Sequence, residues 1–172
     1  MVNKLEDLDF TNEITKEELL LVLKKEAEEV SIADIMAAHA FLVDEGKYVH
    51  RSYRDEYLKA YVKAFILRLK EIKDNNNNPE CTVDGEELKE ALELLNEQKK
   101  TLESCFSEIY RIASIYTTFI LDEPIHVVGT PFPGGFKVKY ENGTYLCPVK
   151  EKQKDNPGAV CGFCIAKQDN SV

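Results

Sequence analysis

Nowhere in this 172-residue chain does an apolar run approach the roughly 20 residues that a membrane-spanning helix needs, so no transmembrane segment is expected. The opening residues, Met1, Val2, Asn3 and Lys4 followed by Glu6, Asp7 and Asp9, lack the basic flank and apolar centre of a secretory signal, and the expectation is a cytoplasmic protein. Excess positive charge is missing as well. A net charge of -9 and a pI near 4.9 argue against broad nucleic-acid binding, which depends on Lys and Arg neutralising phosphates. The glycine-rich stretch Gly129-Thr130-Pro131-Phe132-Pro133-Gly134-Gly135 lacks the Lys-Ser or Lys-Thr ending of a phosphate loop and reads as a rigid connector. There is no internal repeat of fixed period.

A chain of this length buries roughly 70% of its unfolded surface, enough for a core without disulfide staples. It has five cysteines, an odd number, and a reducing cytoplasm favours metal or redox chemistry over a disulfide framework. Charge is unevenly placed: the stretch from Lys137 to Lys154 holds five Lys and two Glu, a net +3, against -12 for the rest. Attraction between this basic tail and the acidic body is the expected use of that asymmetry, with anion binding as the alternative.

The N-terminal two-thirds reads as helices. Thr15 with Glu18 has the form of a capping box, and Leu19, Leu20, Leu23, Ala27 and Val30 follow at helical spacing, predicting a helix from about Lys16 to Val30. Ser31 with Asp34 repeats the device ahead of Ile35, Met36, His39, Leu42 and Val43, with Gly46 as the stop and His39 expected as a core histidine. Ser52 with Asp55 opens a pattern of about twenty residues through Tyr57, Tyr61, Phe65, Leu69 and Ile72. It ends in Asn75 to Asn78 and Pro79, expected to be a mobile loop. Asp84 with Glu87 starts a fourth helix. A fifth, from about Leu102 to Leu121, is apolar nearly all round and should be central, its Arg111 paired with a carboxylate or carbonyl. His50, Arg51, Tyr53 and Arg54 are candidates, with Arg111, Tyr110 and Tyr116, for an anion-binding pocket, though spacing does not make them converge.

Pro124 ends the helical style. Phe136, Val138 and Tyr140 alternate with Lys137 and Lys139 as a strand does, Asn142-Gly143 is a favoured hairpin turn, and Thr144 to Val149 returns as the second strand. Cys147 sits at the end of that strand, and Cys161-Gly162-Phe163-Cys164 follows. The two-residue gap lets two sulfurs face one point, and a positive φ at Gly162 would free backbone N–H groups for the thiolates. This layout resembles small zinc-ribbon sites. Of the three histidines, His126 lies on the segment able to fold over the cluster and is taken as fourth ligand. The alternatives are Cys105, Cys81, His50, Asp155 or a water. Zinc fits this ligand set first, an iron–sulfur cluster second.

The stretches Tyr110 to Phe119, Glu123-Pro124-Ile125-His126, Gly129 to Gly135 and Cys147-Pro148 through Cys164 together resemble an uncharacterised family of proteins from methanogenic archaea, catalogued as a domain of unknown function. The resemblance runs from about Leu19 to Cys164 and implies an anaerobic archaeal cytoplasm, but no activity, substrate or partner. The expected architecture is mainly α. It comprises a bundle of about five helices over residues 1–123, and a C-terminal appendage over 124–172 with a small β-hairpin and Cys-rich knuckle packed on the helices. The expected role is a binding or assembly module with a structural zinc, for a protein or small-molecule partner. A metal- or thiol-dependent enzyme with His126, Tyr110 and Arg111 around its pocket is the first alternative, an iron–sulfur redox protein the second.

Overall fold

The structure, a computed structural model, describes residues 2–102 and 104–172 and, of Ser104, the backbone alone; Met1 and Glu103, the latter at the expected start of the fifth helix, lie outside it. The molecule is mainly α. β1 (Ile14–Thr15) leads into α1 (Lys16–Glu29), where the Thr15 hydroxyl accepts the Glu18 N–H at 3.1 Å and so satisfies one of the helix's open N–H groups. α2 (Ile32–Glu45) starts with a reciprocated capping box between Ser31 and Asp34. α3 (Arg54–Tyr61), a π-helical stretch (Val62–Leu67) and α4 (Arg68–Asp74) form one rod. β2 (Thr82–Val83) pairs antiparallel with β1, and Asp84 caps α5 (Gly85–Gln98) by accepting the Glu87 N–H at 2.9 Å. α6 (Ser104–Ile115) continues into a second π-helical stretch (Tyr116–Ile120).

α6 is the centre of the molecule. Ile109, Ile112, Ala113, Ile115 and Tyr116 are buried, and so are Ser107, Arg111, Ser114 and Thr118, the polar residues spaced four, three and four along the other side. Arg111 has the carboxylate partners its burial demands: it donates to Glu26, to Glu108 at 2.7 Å and to Glu6 at 3.1 Å. A second buried arginine, Arg68, reaches Glu71 at 2.8 Å and Glu123 at 2.6 Å, and Lys16 reaches Asp122 at 2.6 Å, so the chain leaving the second π-helical stretch is held by ion pairs to α1 and α4. One hydrophobic cluster runs from Leu5 through all the long helices to Ile125, Val127 and Val160.

The C-terminal third carries the remaining strands. β3 (Pro131–Phe132) pairs with β4 (Phe136–Lys137), and β5 (Lys139–Glu141) pairs with β6 (Thr144–Cys147) across Asn142 and Gly143, whose φ values of 50° and 76° are those of a tight hairpin turn. α7 (Lys150–Gln153) follows, and β7 (Lys167–Gln168) returns to lie parallel to β6, with Cys147 opposite Gln168.

Several expectations are corrected. The single strand over Phe136 to Tyr140 is divided at Val138, because its first part pairs back on the Pro131–Phe132 segment and not on the hairpin. Ser52 does not cap α3; its N–H and hydroxyl are taken by the His50 ring, and Tyr53 occupies the cap position without a side-chain bond. Gly46 stays right-handed and leads into a 3-10 turn, Gly46–Tyr48. The Asn-rich connector is pinned: Asn75 donates to the Tyr116 hydroxyl at 2.9 Å and its carbonyl accepts from Lys24 at 2.7 Å. His39 is exposed, since α2 buries Ala38 and Leu42 and turns Ile32 (78% exposed) and Met36 (67%) to solvent. The basic tail meets the body at Lys137 with Glu56, whereas Lys139 pairs with Asp169 at 2.8 Å and Lys154 with Glu151 at 2.7 Å inside the tail. Among the described residues no helix is long and apolar enough to cross a membrane.

Candidate metal centre

Cys147 closes β6, and Pro148 turns the chain so that the N–H groups of Val149 and Lys150 both point at its sulfur. The loop beyond α7 is tied to the helical body by Gln98, a buried side chain at the end of α5 that donates to the carbonyls of Pro157 (2.9 Å) and Ala159 (3.0 Å). That anchor sets Val160 in the core and Cys161 beside it. The Val160 carbonyl accepts the N–H of Phe163 at 3.3 Å and of Cys164 at 3.1 Å, making the turn that carries both cysteines. Gly162 is not left-handed there, and a Cβ at that position would meet the Lys154 carbonyl at an ordinary 3.5 Å. The expected N–H donation to sulfur is therefore found at Cys147 and not through a glycine knuckle.

His126 comes from the segment after Pro124. Its Nε2 lies 3.2 Å from the Tyr61 hydroxyl, and its ring packs on Tyr61 and edge-on to Phe132 of β3. His126, Cys147, Cys161 and Cys164 all line one small cavity, with Pro124, Val138, Lys150, Val160 and Ala166 as the other walls. Its volume is about 10 Å³, room for a single atom-sized occupant. Among the described residues no three His, Cys, Asp or Glu side chains stand as a ready-made metal-binding group.

The electrostatics follow from enclosure. Burial, reinforced by the neighbouring sulfurs of Cys147 and Cys164, pushes the Cys161 thiol up to about 11, and burial also raises Cys147. Burial pulls the His126 imidazole down to about 4, which keeps it neutral with a lone pair available near neutral pH. Lys150 donates to the carbonyls of Cys161 and, at 2.6 Å, Cys164, so a positive charge is fixed on the cavity wall.

Lys150 and Tyr61 were not singled out from sequence. Lys150 sits in a run of lysines that reads as a solvated face, and Tyr61 reaches His126 across 65 positions, which no local pattern signals. The other fourth-ligand candidates are elsewhere. Cys81 and His50 are exposed, Asp155 is exposed in the loop beyond α7, and Cys105 faces Asp34 at 3.8 Å. Arg111 is committed to its carboxylates, and Arg54 to the carbonyls of Lys47 and Val49, so the anion-binding group does not assemble and Arg111 does not line the Cys cavity. Tyr110 does lie beside the cluster, half-buried near Cys161 and Cys164.

A profile described as an uncharacterised protein conserved in archaea (DUF2115) matches residues 15–169. A UPF0305 protein of Methanothermobacter thermautotrophicus is 41% identical over 163 residues, covering 92% of this chain and 99% of its own. UPF0305 proteins of Methanocaldococcus jannaschii (33% over 155 residues, 87% and 94%) and Methanopyrus kandleri (33% over 134 residues, 74% and 93%) are also similar. No solved structure matches the chain. With that coverage in profile and relatives alike, the chain belongs to the DUF2115 family of uncharacterised archaeal proteins.

Proposed function

We propose that His126, Cys147, Cys161 and Cys164 hold one structural zinc ion, and that the protein acts as a binding or assembly module whose C-terminal segment this ion braces. The observation that carries the reading is that all four side chains line one cavity of about 10 Å³. Three cysteines and a histidine are a familiar structural zinc set, and a closed site of this kind leaves no coordination position for substrate. As they stand, the described side chains form no group able to hold an ion, so binding would have to draw the four together. N–H groups aimed at the Cys147 sulfur favour its thiolate, and the Lys150 ammonium offsets the single negative charge of a zinc with three thiolates. The volume suits one ion better than an iron–sulfur cluster or an organic substrate, which weighs against both alternatives. The assembly role draws on α2, where Ile32 and Met36 give the surface an apolar strip of the sort that marks contacts between molecules.

Elemental analysis of the purified full chain is expected to give one equivalent of zinc. Because structural zinc supplies roughly 10 to 16 kcal/mol of apparent binding free energy in small sites, Cys161→Ser should lose the ion and unravel the C-terminal segment while most helical circular dichroism remains. Full metal content and an unchanged tail in that variant would refute the reading.

A further inference from the structure

We infer that the groove between α5 and the turn carrying Cys161 and Cys164 binds a small organic cation, an ammonium group borne on an apolar chain, where Glu87 and Glu90 share one cavity with the rings of Phe119 and Phe163. The cavity has a volume of about 550 Å³, within the range that small-molecule sites occupy. It shares no lining residue with the cysteine cavity, so the inference stands or falls separately from the zinc reading.

α5 supplies one wall. Glu87, Glu90, Ala91 and Leu94 stand at i, i+3, i+4 and i+7, which puts them on one side of the helix, along the border between its buried stripe and solvent. Charge there has one sign. Three carboxylates, Glu87, Glu90 and Asp122, line the cavity, and among the described residues no Lys, Arg or His does. Asp122 is paired with Lys16, whereas Glu87 and Glu90 are exposed and carry no ion pair among the described residues. Such a wall repels an anion and draws a cation.

The opposite wall is aromatic and apolar. Phe119 and Phe163 stand with ring centroids 6.5 Å apart and planes 15° from parallel, and Phe163 is only half-buried. An ammonium group over the face of an aromatic ring is held by the ring's quadrupole, while the chain behind it covers apolar surface such as Leu94 and Ile165. An inorganic cation would leave that wall unused, and a neutral solute would leave the carboxylates unused. A third observation points the same way: Thr118 is 5% exposed, lines the same cavity, and has a hydroxyl without a hydrogen-bond partner among the described residues. A hydroxyl so left is costly, and an ammonium N–H is a donor of the kind it accepts. Thr118 and Phe119 both belong to the second π-helical stretch, an irregularity that recurs at functional sites.

The test is a titration of the 15N-labelled full chain with hexylammonium chloride, followed by amide chemical shifts, with 1-hexanol and sodium hexanoate as neutral and anionic controls of equal length. Hexylammonium is expected to give saturable shifts centred on Leu94, Thr118, Phe119 and Phe163, with hexanol weaker and hexanoate inert. The double variant Glu87→Gln with Glu90→Gln changes exposed side chains only, and should weaken hexylammonium roughly 5-fold while leaving hexanol unchanged. Phe163→Leu should weaken it about 2- to 5-fold. Hexanol binding as tightly as hexylammonium, an unchanged affinity in the double variant, or no saturable shifts at these residues would each overturn the inference, whatever the zinc content of the sample. The wild-type titrations and the double variant decide the matter even if Phe163→Leu fails to fold.

Discussion

Lys150 braces the turn that carries two of the cysteines, because one ammonium group bonds the carbonyls of both Cys161 and Cys164 while lining the cavity that holds the sulfurs. Removing it takes away two charge-assisted hydrogen bonds of about 1.5 to 3 kcal/mol each and the positive charge beside the cysteine sulfurs. Lys150→Met should therefore lower denaturation stability by about 3 to 6 kcal/mol even in metal-free protein, and under the zinc reading should also weaken zinc uptake in a chelator titration. A variant with wild-type affinity would place the compensating charge elsewhere. The enclosed Arg111 illustrates the opposite case of a buried cation with a purely internal purpose: three carboxylates surround it and none faces the cysteine cavity.

Among the elements, what was legible in the sequence was local. Thr15, Ser31 and Asp84 each cap a helix as their spacing to Glu18, Asp34 and Glu87 predicts, because a cap and its N–H lie three residues apart. The Asn142-Gly143 turn is equally local. Ser52 fails by the same measure, since His50, two residues back, competes for it. The pairing of β7 with β6 and the split of the strand at Val138 depend on segments that meet only after folding, and alternation alone cannot reveal them. The three cysteines at the cavity were legible from their clustering, whereas the Tyr61 contact and the Gln98 anchor were not. Gln98 ties α5 to the loop ahead of Cys161, so Gln98→Ala strands the Pro157 and Ala159 carbonyls. A loss of about 1 to 3 kcal/mol is expected in urea melts, with faster amide exchange at Val160 to Cys164. Exchange that accelerates only within α5 would show that the anchor does not govern the cysteine turn.

Across the whole molecule, the helices and the C-terminal segment share one hydrophobic cluster, through Ile125, Val127 and Val160. If the C-terminal segment holds the proposed zinc, its loss would therefore be felt beyond that segment. Chelation should lower the melting temperature of the helices in a calorimetric scan, although they remain folded at 25 °C. The effect depends on pH with a definite sign. Burial holds Cys161 near 11 and raises Cys147, so both are protonated at neutral pH and, under the proposed zinc reading, would have to release protons to bind the ion. Zinc-dependent stabilisation should accordingly grow as pH rises from about 6 to 8 and shrink as it falls, with proton release visible to an indicator dye. A melting-point difference between loaded and chelated protein that stays constant over that range would contradict thiolate ligation.

β6 and β7 run parallel, and parallel neighbours cannot be joined by a tight turn. The chain from Cys147 to Lys167 is thus an arch with both feet planted in adjacent strands, its exposed crown at Asp155 and Asn156. The closure cost of such an arch rises only slowly with its length. A short reporter peptide spliced between Asp155 and Asn156 would ride on the crown without shifting either foot, giving a handle on this end of the protein that leaves its sulfurs undisturbed.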